Sequence, residues 1–132
     1  MKSVAADDPT GSLPHRVIIV DDNREFREVL AVLLPRILQV EVVKVFDNAA
    51  PALEFLESDS DVTVLVDNKM PGMDGITFIR QSRKLDPIPP VFLVSFSPLP
   101  EHRQAALDAG AIGVLNKTDV QEDLTRYFPP LA

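Results

Sequence analysis

Five short apolar runs recur along the chain, and each is followed by a segment in which the apolar positions are spaced differently. The runs are rich in β-branched residues and show little alternation of apolar and polar positions, which is typical of strands buried on both faces of a sheet. They cover residues 16–20, 41–46, 62–66, 91–95 and 113–115. The pattern therefore predicts five buried strands.

The segments that follow place apolar residues three and four positions apart, as amphipathic helices do. They cover residues 23–38, 48–58, 74–85, 100–109 and 119–128. Strands connected through helices run parallel, with right-handed crossovers and with helices on both faces of the sheet. We therefore predict an α/β fold, a doubly wound five-stranded parallel sheet with the flavodoxin-like order 2-1-3-4-5 and five helices. Pro35 inside the first helical segment predicts a bend or an early end there.

The length and composition fit one folded domain. The chain has 132 residues, of which 45% are hydrophobic and 25% charged, and this is enough apolar material for one core. We expect a flexible N-terminal tail over residues 1–14 and a single domain over residues 15–128. Residues 129–132 are expected to be the C-terminal end of the domain or the start of a linker.

Composition also excludes several classes of function. The chain has no cysteine, which excludes disulfides and thiolate metal sites and favours a reducing, cytoplasmic location. No signal peptide and no apolar run of about 20 residues is present, so we expect no membrane segment. A net charge of -7 argues against direct nucleic-acid binding, because a phosphate backbone is held by clustered Lys and Arg.

Polar and charged side chains follow the predicted strands at the edge where such sheets bind ligands. They are Asp21 and Asp22 after the first strand, Asp67 after the third, Ser95 at the end of the fourth and Lys117 after the fifth. Three neighbouring carboxylates repel one another unless a cation offsets their charge. Mg²⁺ suits such a site because it takes one or two carboxylates together with water and phosphate oxygens. A carboxylate beside a metal ion and an ammonium group is a known type of phosphoryl acceptor.

The motifs VIIVDDN, VLVDNKMPGMDG, LVSFS and GVLNK occur in this order and resemble those of the receiver domains of two-component response regulators. The resemblance covers about residues 15–128. It implies that Asp67 accepts a phosphoryl group from a phosphohistidine on a sensor histidine kinase. It also implies that Asp22 and Asp67 bind Mg²⁺ directly, together with the backbone carbonyl of Lys69.

The resemblance assigns roles to three further residues. Asp21 would act on the metal through a bound water, Lys117 would pair with a phosphate oxygen, and Ser95 would hydrogen-bond another phosphate oxygen. Each residue also has an ordinary structural interpretation, since Asp22 could cap the first helix and the others could be surface or turn residues.

Three positions depart from the usual pattern of the family. Thr118 stands where many members have proline after the lysine, and we expect a trans Lys117-Thr118 peptide because a cis bond without proline costs about 2.5–4 kcal/mol. Val114 replaces an aromatic residue that signals phosphorylation by moving inward, and valine is too stiff and short to do so. Phe96 replaces a small residue, and its ring is expected either to narrow the access to Asp67 or to pack on the fourth helix.

Two alternatives to a phosphorylated switch stay open. One, suggested by these departures, is an atypical receiver that acts as an interaction module without phosphorylation. The other, an aspartate-dependent hydrolase, is disfavoured because Asn68 and Lys69, and no second acid, follow Asp67.

The resemblance also implies partners besides the kinase. A homodimer is expected through the fourth helix, fifth strand and fifth helix, or through the first and fifth helices. The fifth helix offers Leu124, Tyr127 and Phe128 for such a contact, although Leu124 and Phe128 could simply pack on the sheet. The ending FPPLA is also consistent with a linker to a C-terminal DNA-binding output domain that controls transcription, or with a receiver that stands alone.

Overall fold

The computed structural model describes residues 14–131, and its strands and helices alternate along the chain. The strands are β1 (His15–Val20), β2 (Val40–Phe46), β3 (Thr63–Asp67), β4 (Val91–Ser95) and β5 (Gly113–Asn116). The helices are α1 (Arg24–Ile37), α2 (Ala49–Ser58), α3 (Gly75–Ser82), α4 (Pro100–Ala109) and α5 (Val120–Leu124). The tail predicted over residues 1–14 lies, except for Pro14, outside the described residues.

All five strands pair in parallel in the order β2-β1-β3-β4-β5. The predicted fold class and strand order are therefore confirmed. The order places β1 and β3 next to each other at the centre of the sheet, although α1, β2 and α2 separate them in the sequence. As a result, the residues that follow β1 and β3 meet at one edge.

Successive residues of each central strand face opposite sides of the sheet, as the pleat requires. Ile18, Val64 and Leu93 pack on one face, which is covered by α2, α3 and α4. Val17, Leu65 and Phe92 pack on the other face, which is covered by α1 and α5. Both faces are buried, and this explains why the strands read as nearly continuous apolar runs.

Side-chain caps set the start of three helices. Asn23, Asn48 and Asp74 each accept a hydrogen bond from a backbone N–H in the first turn of α1, α2 and α3, respectively. Helix α1 continues through Pro35 to Ile37, so the early end that we allowed for at this proline does not occur.

The C-terminal part of the chain differs from the prediction of a helix over residues 119–128. Helix α5 has only five residues, and Thr125, Arg126 and Tyr127 instead donate hydrogen bonds to carbonyls three residues earlier, as in tight turns. Pro129 prevents the helix from extending past Phe128, because a residue before proline is driven away from helical dihedrals.

Residues 129–131 lie against the end of α1. The Gln39 N–H donates to the Pro129 carbonyl at 2.8 Å, and the Leu131 N–H donates to the Ile37 carbonyl at 3.0 Å. Leu38 and Pro130 form an antiparallel bridge. Within the described part of the chain, no helix is long and apolar enough to cross a membrane.

Candidate functional site

The carboxyl edge of the sheet brings three carboxylates together. Asp67 is the last residue of β3, and Asp21 and Asp22 follow β1. One carboxylate oxygen from each of the three lies within 4.8 Å of the other two. Asp21 and Asp67 are buried, with 1% and 7% of their surfaces exposed, whereas Asp22 is exposed.

Asp21 is held from two sides by residues of α1 and its cap. The backbone N–H of Asn23 donates to Asp21 Oδ1 at 2.8 Å. The guanidinium of Arg27 donates to the backbone carbonyl of Asp21, also at 2.8 Å. These contacts hold Asp21 in place, while its second carboxylate oxygen, Oδ2, is buried beside Lys117.

Lys117 supplies the positive charge at the centre of the cluster. Its Nζ lies 2.8 Å from Asp21 Oδ2 and 3.2 Å from Asp67 Oδ1, and its side chain is only 5% exposed. The contact with Asp21 is thus a buried ion pair. The Lys117-Thr118 peptide is trans, as predicted, since the one cis bond among residues 14–131 joins Asp86 to Pro87.

The electrostatics of the cluster are unbalanced. Burial raises the pKa of the Asp67 carboxyl, the negative charge of Asp21 raises it further, and the Lys117 ammonium lowers it. The result is a pKa of about 6 in place of the ordinary 3.8. One ammonium group therefore does not offset the neighbouring carboxylates, and a further cation would stabilise the ionised form.

The residues present fit a hard divalent cation. The donors are carboxylate oxygens, which Mg²⁺ prefers, and one from each of the three aspartates lies within 4.8 Å of the other two. Lys69 lies beside Asp67 on the wall of the adjoining cavity. Its backbone carbonyl as a third ligand stays a prediction.

A cavity of about 250 Å³ opens onto Asp67. It is lined by Asp67, Asn68, Lys69, Ser95, Phe96 and Lys117. Ser95 is brought to Lys117 by the pairing of β4 with β5, since the Lys117 N–H donates to the Ser95 carbonyl at 2.9 Å. The structure thus places the predicted hydroxyl, ammonium and carboxylate groups around one space.

The two unusual positions, Phe96 and Val114, lie in different surroundings. Phe96 lines the cavity and is 61% exposed, so its ring is not buried against α4. Val114 is half-buried and packs against the core on the α4 side of the sheet. The effect of Phe96 on access stays a prediction.

Sequence reasoning missed the residues that support the site. Asn23 and Arg27 hold Asp21, and the ring of Phe26 contacts Lys117. The hydrogen bond from the Asn23 N–H could have been predicted from the sequence, because aspartate side chains often accept a bond from the backbone two residues later. The contacts of Arg27 and Phe26 depend on how α1 leaves the edge of the sheet, for which no local motif exists.

Comparisons with known proteins agree with this geometry. The family model described as "Response regulator receiver domain" matches residues 17–128. A protein-glutamate methylesterase/protein-glutamine glutaminase of Rhodopseudomonas palustris is 36% identical over 106 residues, which are 80% of this chain but 29% of that protein. The chain therefore spans less than a third of the length of this curated relative.

Two solved structures have the same fold at moderate identity. The receiver domain of the putative response regulator NarL from Mycobacterium tuberculosis is 31% identical, with a TM-score of 0.72 over 86% of this chain and 94% of that one. A chain in the complex of the P1 domain of CheA3 with CheY6 from R. sphaeroides is 29% identical, with a TM-score of 0.70 over 86% and 92%. These matches confirm the resemblance found in the sequence, and the chain belongs to the response regulator receiver domain family.

Proposed function

We propose that this receiver domain accepts a phosphoryl group on Asp67 from a phosphohistidine of a sensor histidine kinase. The observation that carries the proposal is the position of the Lys117 ammonium, which lies within 3.2 Å of Asp67 and 2.8 Å of Asp21 at the end of an accessible cavity. The site thus combines a nucleophilic carboxylate, Asp67, with an ammonium group that can neutralise phosphate. It also contains two further carboxylates, those of Asp21 and Asp22.

In the proposed step, a carboxylate oxygen of Asp67 attacks the phosphorus atom of the phosphohistidine. A bond forms between this oxygen and phosphorus, and the phosphorus–nitrogen bond breaks. The electron pair of that bond goes to the imidazole nitrogen. The other ring nitrogen of the phosphohistidine carries a proton, so the kinase histidine leaves as neutral imidazole. The product is an acyl phosphate on Asp67, so the receiver gains negative charge at the edge of the sheet.

The residues around Asp67 act by position and charge. Lys117 pairs with one phosphoryl oxygen, and Ser95 donates its hydroxyl to another. Bound Mg²⁺, held by Asp22 and Asp67 with the carbonyl of Lys69, would neutralise charge on the phosphoryl oxygens. Asp21 would contact that ion through a bound water, and it balances the charge of Lys117.

The kinase and output are proposed by similarity. The complex of the P1 domain of CheA3 with CheY6 supports a histidine kinase as the partner, in agreement with the sequence. The relatives named protein-glutamate methylesterase/protein-glutamine glutaminase support an enzymatic output of that kind and do not support the transcriptional output that we expected from the sequence. A cytoplasmic location stays a prediction.

Self-association through the fourth helix, fifth strand and fifth helix is a further proposal. Leu124 and Phe128 are buried against the sheet, so of the three residues named above only Tyr127, which is 45% exposed, is free to contribute. Light scattering with and without a stable phosphate mimic tests this proposal. An identical mass in both conditions at high concentration would exclude a phosphorylation-dependent dimer.

Intact-mass spectrometry after incubation with a small acyl-phosphate donor tests phosphoryl acceptance. We expect one phosphoryl group per chain with Mg²⁺ and none when EDTA removes the metal. Asp67→Asn is the matched control, because it keeps the size of the side chain and removes the nucleophile. Equal labelling of this variant and the parent would overturn the proposal.

A second candidate function is an interaction module that works without phosphorylation. It is favoured by Val114, which fills the position of the family's mobile aromatic residue and packs into the core. A parent chain that stays unmodified in the same experiment, while folded and with Mg²⁺ present, would support this alternative.

A further inference from the structure

The ammonium of Lys117 lies over two aromatic rings as well as beside two carboxylates. Its Nζ is 4.7 Å from the ring centroid of Phe26 and 5.2 Å from that of Phe96. Both distances are within the roughly 6 Å at which a cation is attracted to the face of a ring. The rings come from separate parts of the fold, the first turn of α1 and the loop after β4.

Core packing does not account for the position of Phe96. Its ring is 61% exposed, although burial would be the more favourable state for so large an apolar side chain. The next residue, Ser97, has a φ of +44°, in the left-handed region that non-glycine residues rarely adopt. The loop therefore keeps an exposed ring over Lys117 with a strained residue directly after it, and such strain persists where surrounding contacts compensate for it.

Phe26 contributes a different kind of support. Phe26 belongs to α1, and its ring is partly buried against the core on that face of the sheet. This packing holds the ring in place. It is also the closer of the two rings to the ammonium. Phe26 thus supplies a fixed wall for Lys117, and Phe96 supplies a wall from the loop.

Aromatic walls suit an ammonium group that must act on a phosphoryl group. A ring face attracts positive charge but takes no strong hydrogen bond, so the three N–H groups of Lys117 stay available to oxygen atoms. The rings also help to keep this side chain only 5% exposed, which strengthens its interaction with the carboxylates. A lysine side chain with four rotatable bonds would otherwise have many positions open to it.

We propose that Phe26 and Phe96 are positioning residues that clamp the Lys117 ammonium between their rings and hold it toward Asp67 for phosphoryl transfer. The effect on transfer rests on the function proposed above, whereas the clamp itself can be tested in the unmodified protein. The clamp acts through the ring face and is distinct from an effect of side-chain bulk on access to Asp67.

NMR of the unmodified chain tests the contact directly. Methylene protons of Lys117 that lie near ring faces should resonate upfield of those of the other lysines. Phe26→Leu and Phe96→Leu should each remove part of this upfield shift, and Phe26→Tyr should keep it. Phe55→Leu is the control, because Phe55 is a half-buried ring in α2 that packs on Phe46, away from the site. An unchanged Lys117 shift in both leucine variants at Phe26 and Phe96 would overturn the clamp.

Rates of labelling by a small phosphodonor test the positioning role. Each leucine variant keeps an apolar side chain but loses the ring, and we expect its rate with Mg²⁺ to fall about threefold to tenfold. Phe26→Tyr keeps the ring and should therefore label at the rate of the parent, which loss of stability alone would not explain. Urea unfolding would show that all variants are folded. Unchanged or faster labelling in both leucine variants would overturn the role. If the parent takes no phosphoryl group, the proposed function fails, and the Lys117 shift still decides whether the clamp exists.

Discussion

Gly75, the first residue of α3, lies against the end of β3, the strand that ends in Asp67, and Gly75→Ala tests this close approach. A Cβ atom at this position would overlap Leu93 Cδ1 and lie 2.6 Å from the backbone oxygen of Asp67. Leu93 is fully buried, and the Asp67 oxygen belongs to the backbone and cannot rotate away. Overpacking of this kind costs about 1–3 kcal/mol, and we expect about 2–3 kcal/mol because a buried side chain and a backbone atom must both move.

Gly72→Ala is the matched control for this experiment. Gly72 has a φ of +84° and no heavy atom within 4 Å of the added Cβ, so alanine there causes backbone strain without a clash. We expect that strain to cost about 1 kcal/mol. Urea unfolding followed by circular dichroism measures the loss of stability in each variant from the shift of its midpoint, provided that its dependence on urea has the same slope as that of the parent.

The same pair of variants links packing to function. A shift of the Asp67 backbone should slow labelling by a phosphodonor in Gly75→Ala by more than in Gly72→Ala, because transfer depends on the line of attack. If Gly75→Ala were as stable as Gly72→Ala and accepted phosphate at the parent rate, the close approach of α3 to Asp67 would contribute neither to stability nor to phosphoryl transfer.

Three further predictions concern the metal, the cavity and a surface ion pair. Asp22→Ala should abolish Mg²⁺ binding in an NMR titration, because it removes a proposed ligand, and unchanged binding would refute that assignment. Phe96→Ala should both gain and lose phosphate faster than Phe96→Leu, since both lack the ring and only leucine narrows the cavity; equal rates would remove the effect on access. Arg16 lies 2.6 Å from Asp59 and lowers the pKa of that carboxyl. The pair should therefore add at most about 1 kcal/mol at neutral pH. This contribution should disappear as the pH falls below 3.8, the ordinary pKa of an aspartate, because Asp59 then becomes protonated. The difference in unfolding free energy between the parent and Asp59→Asn should therefore shrink in acid. A difference that stays constant would contradict this.

The fold was predictable because its strongest signals are local. Strands such as β3 are buried on both faces and read as apolar runs, and the connection of each strand to the next through a helix restricts the topology. The positions of Asp21, Asp67 and Lys117 then follow from the rule that ligands bind at the carboxyl ends of the strands. Burial and parallel pairing are thus encoded in short segments.

The C-terminal region was not predictable in the same way. Apolar residues at Leu124 and Phe128 have the spacing of a continuous helix, yet the chain turns before Phe128. The contact of Pro129 and Pro130 with residues 37–39 joins segments about ninety positions apart, and no local pattern announces it. The exposed prolines of this segment read as a linker because their partners are remote.

The aromatic clamp was missed for a related reason. Phe26 fits the apolar stripe of α1, and the sequence suggests for Phe96 only an obstacle to Asp67 or packing on the fourth helix. Their common contact with Lys117 arises from the convergence of α1, the loop after β4 and the end of β5, which only the folded chain displays.

Mapping of the phosphorylated residue is the direct test of whether Asp67 is the phosphoryl acceptor. The chain is labelled with a phosphodonor and Mg²⁺, cleaved under conditions that preserve acyl phosphates, and analysed by tandem mass spectrometry. We expect a phosphoryl group on Asp67, in the peptide that contains VLVDNK, and on no other residue. A phosphoryl group on Asp21, Asp22 or a hydroxyl side chain, with Asp67 unmodified, would contradict it.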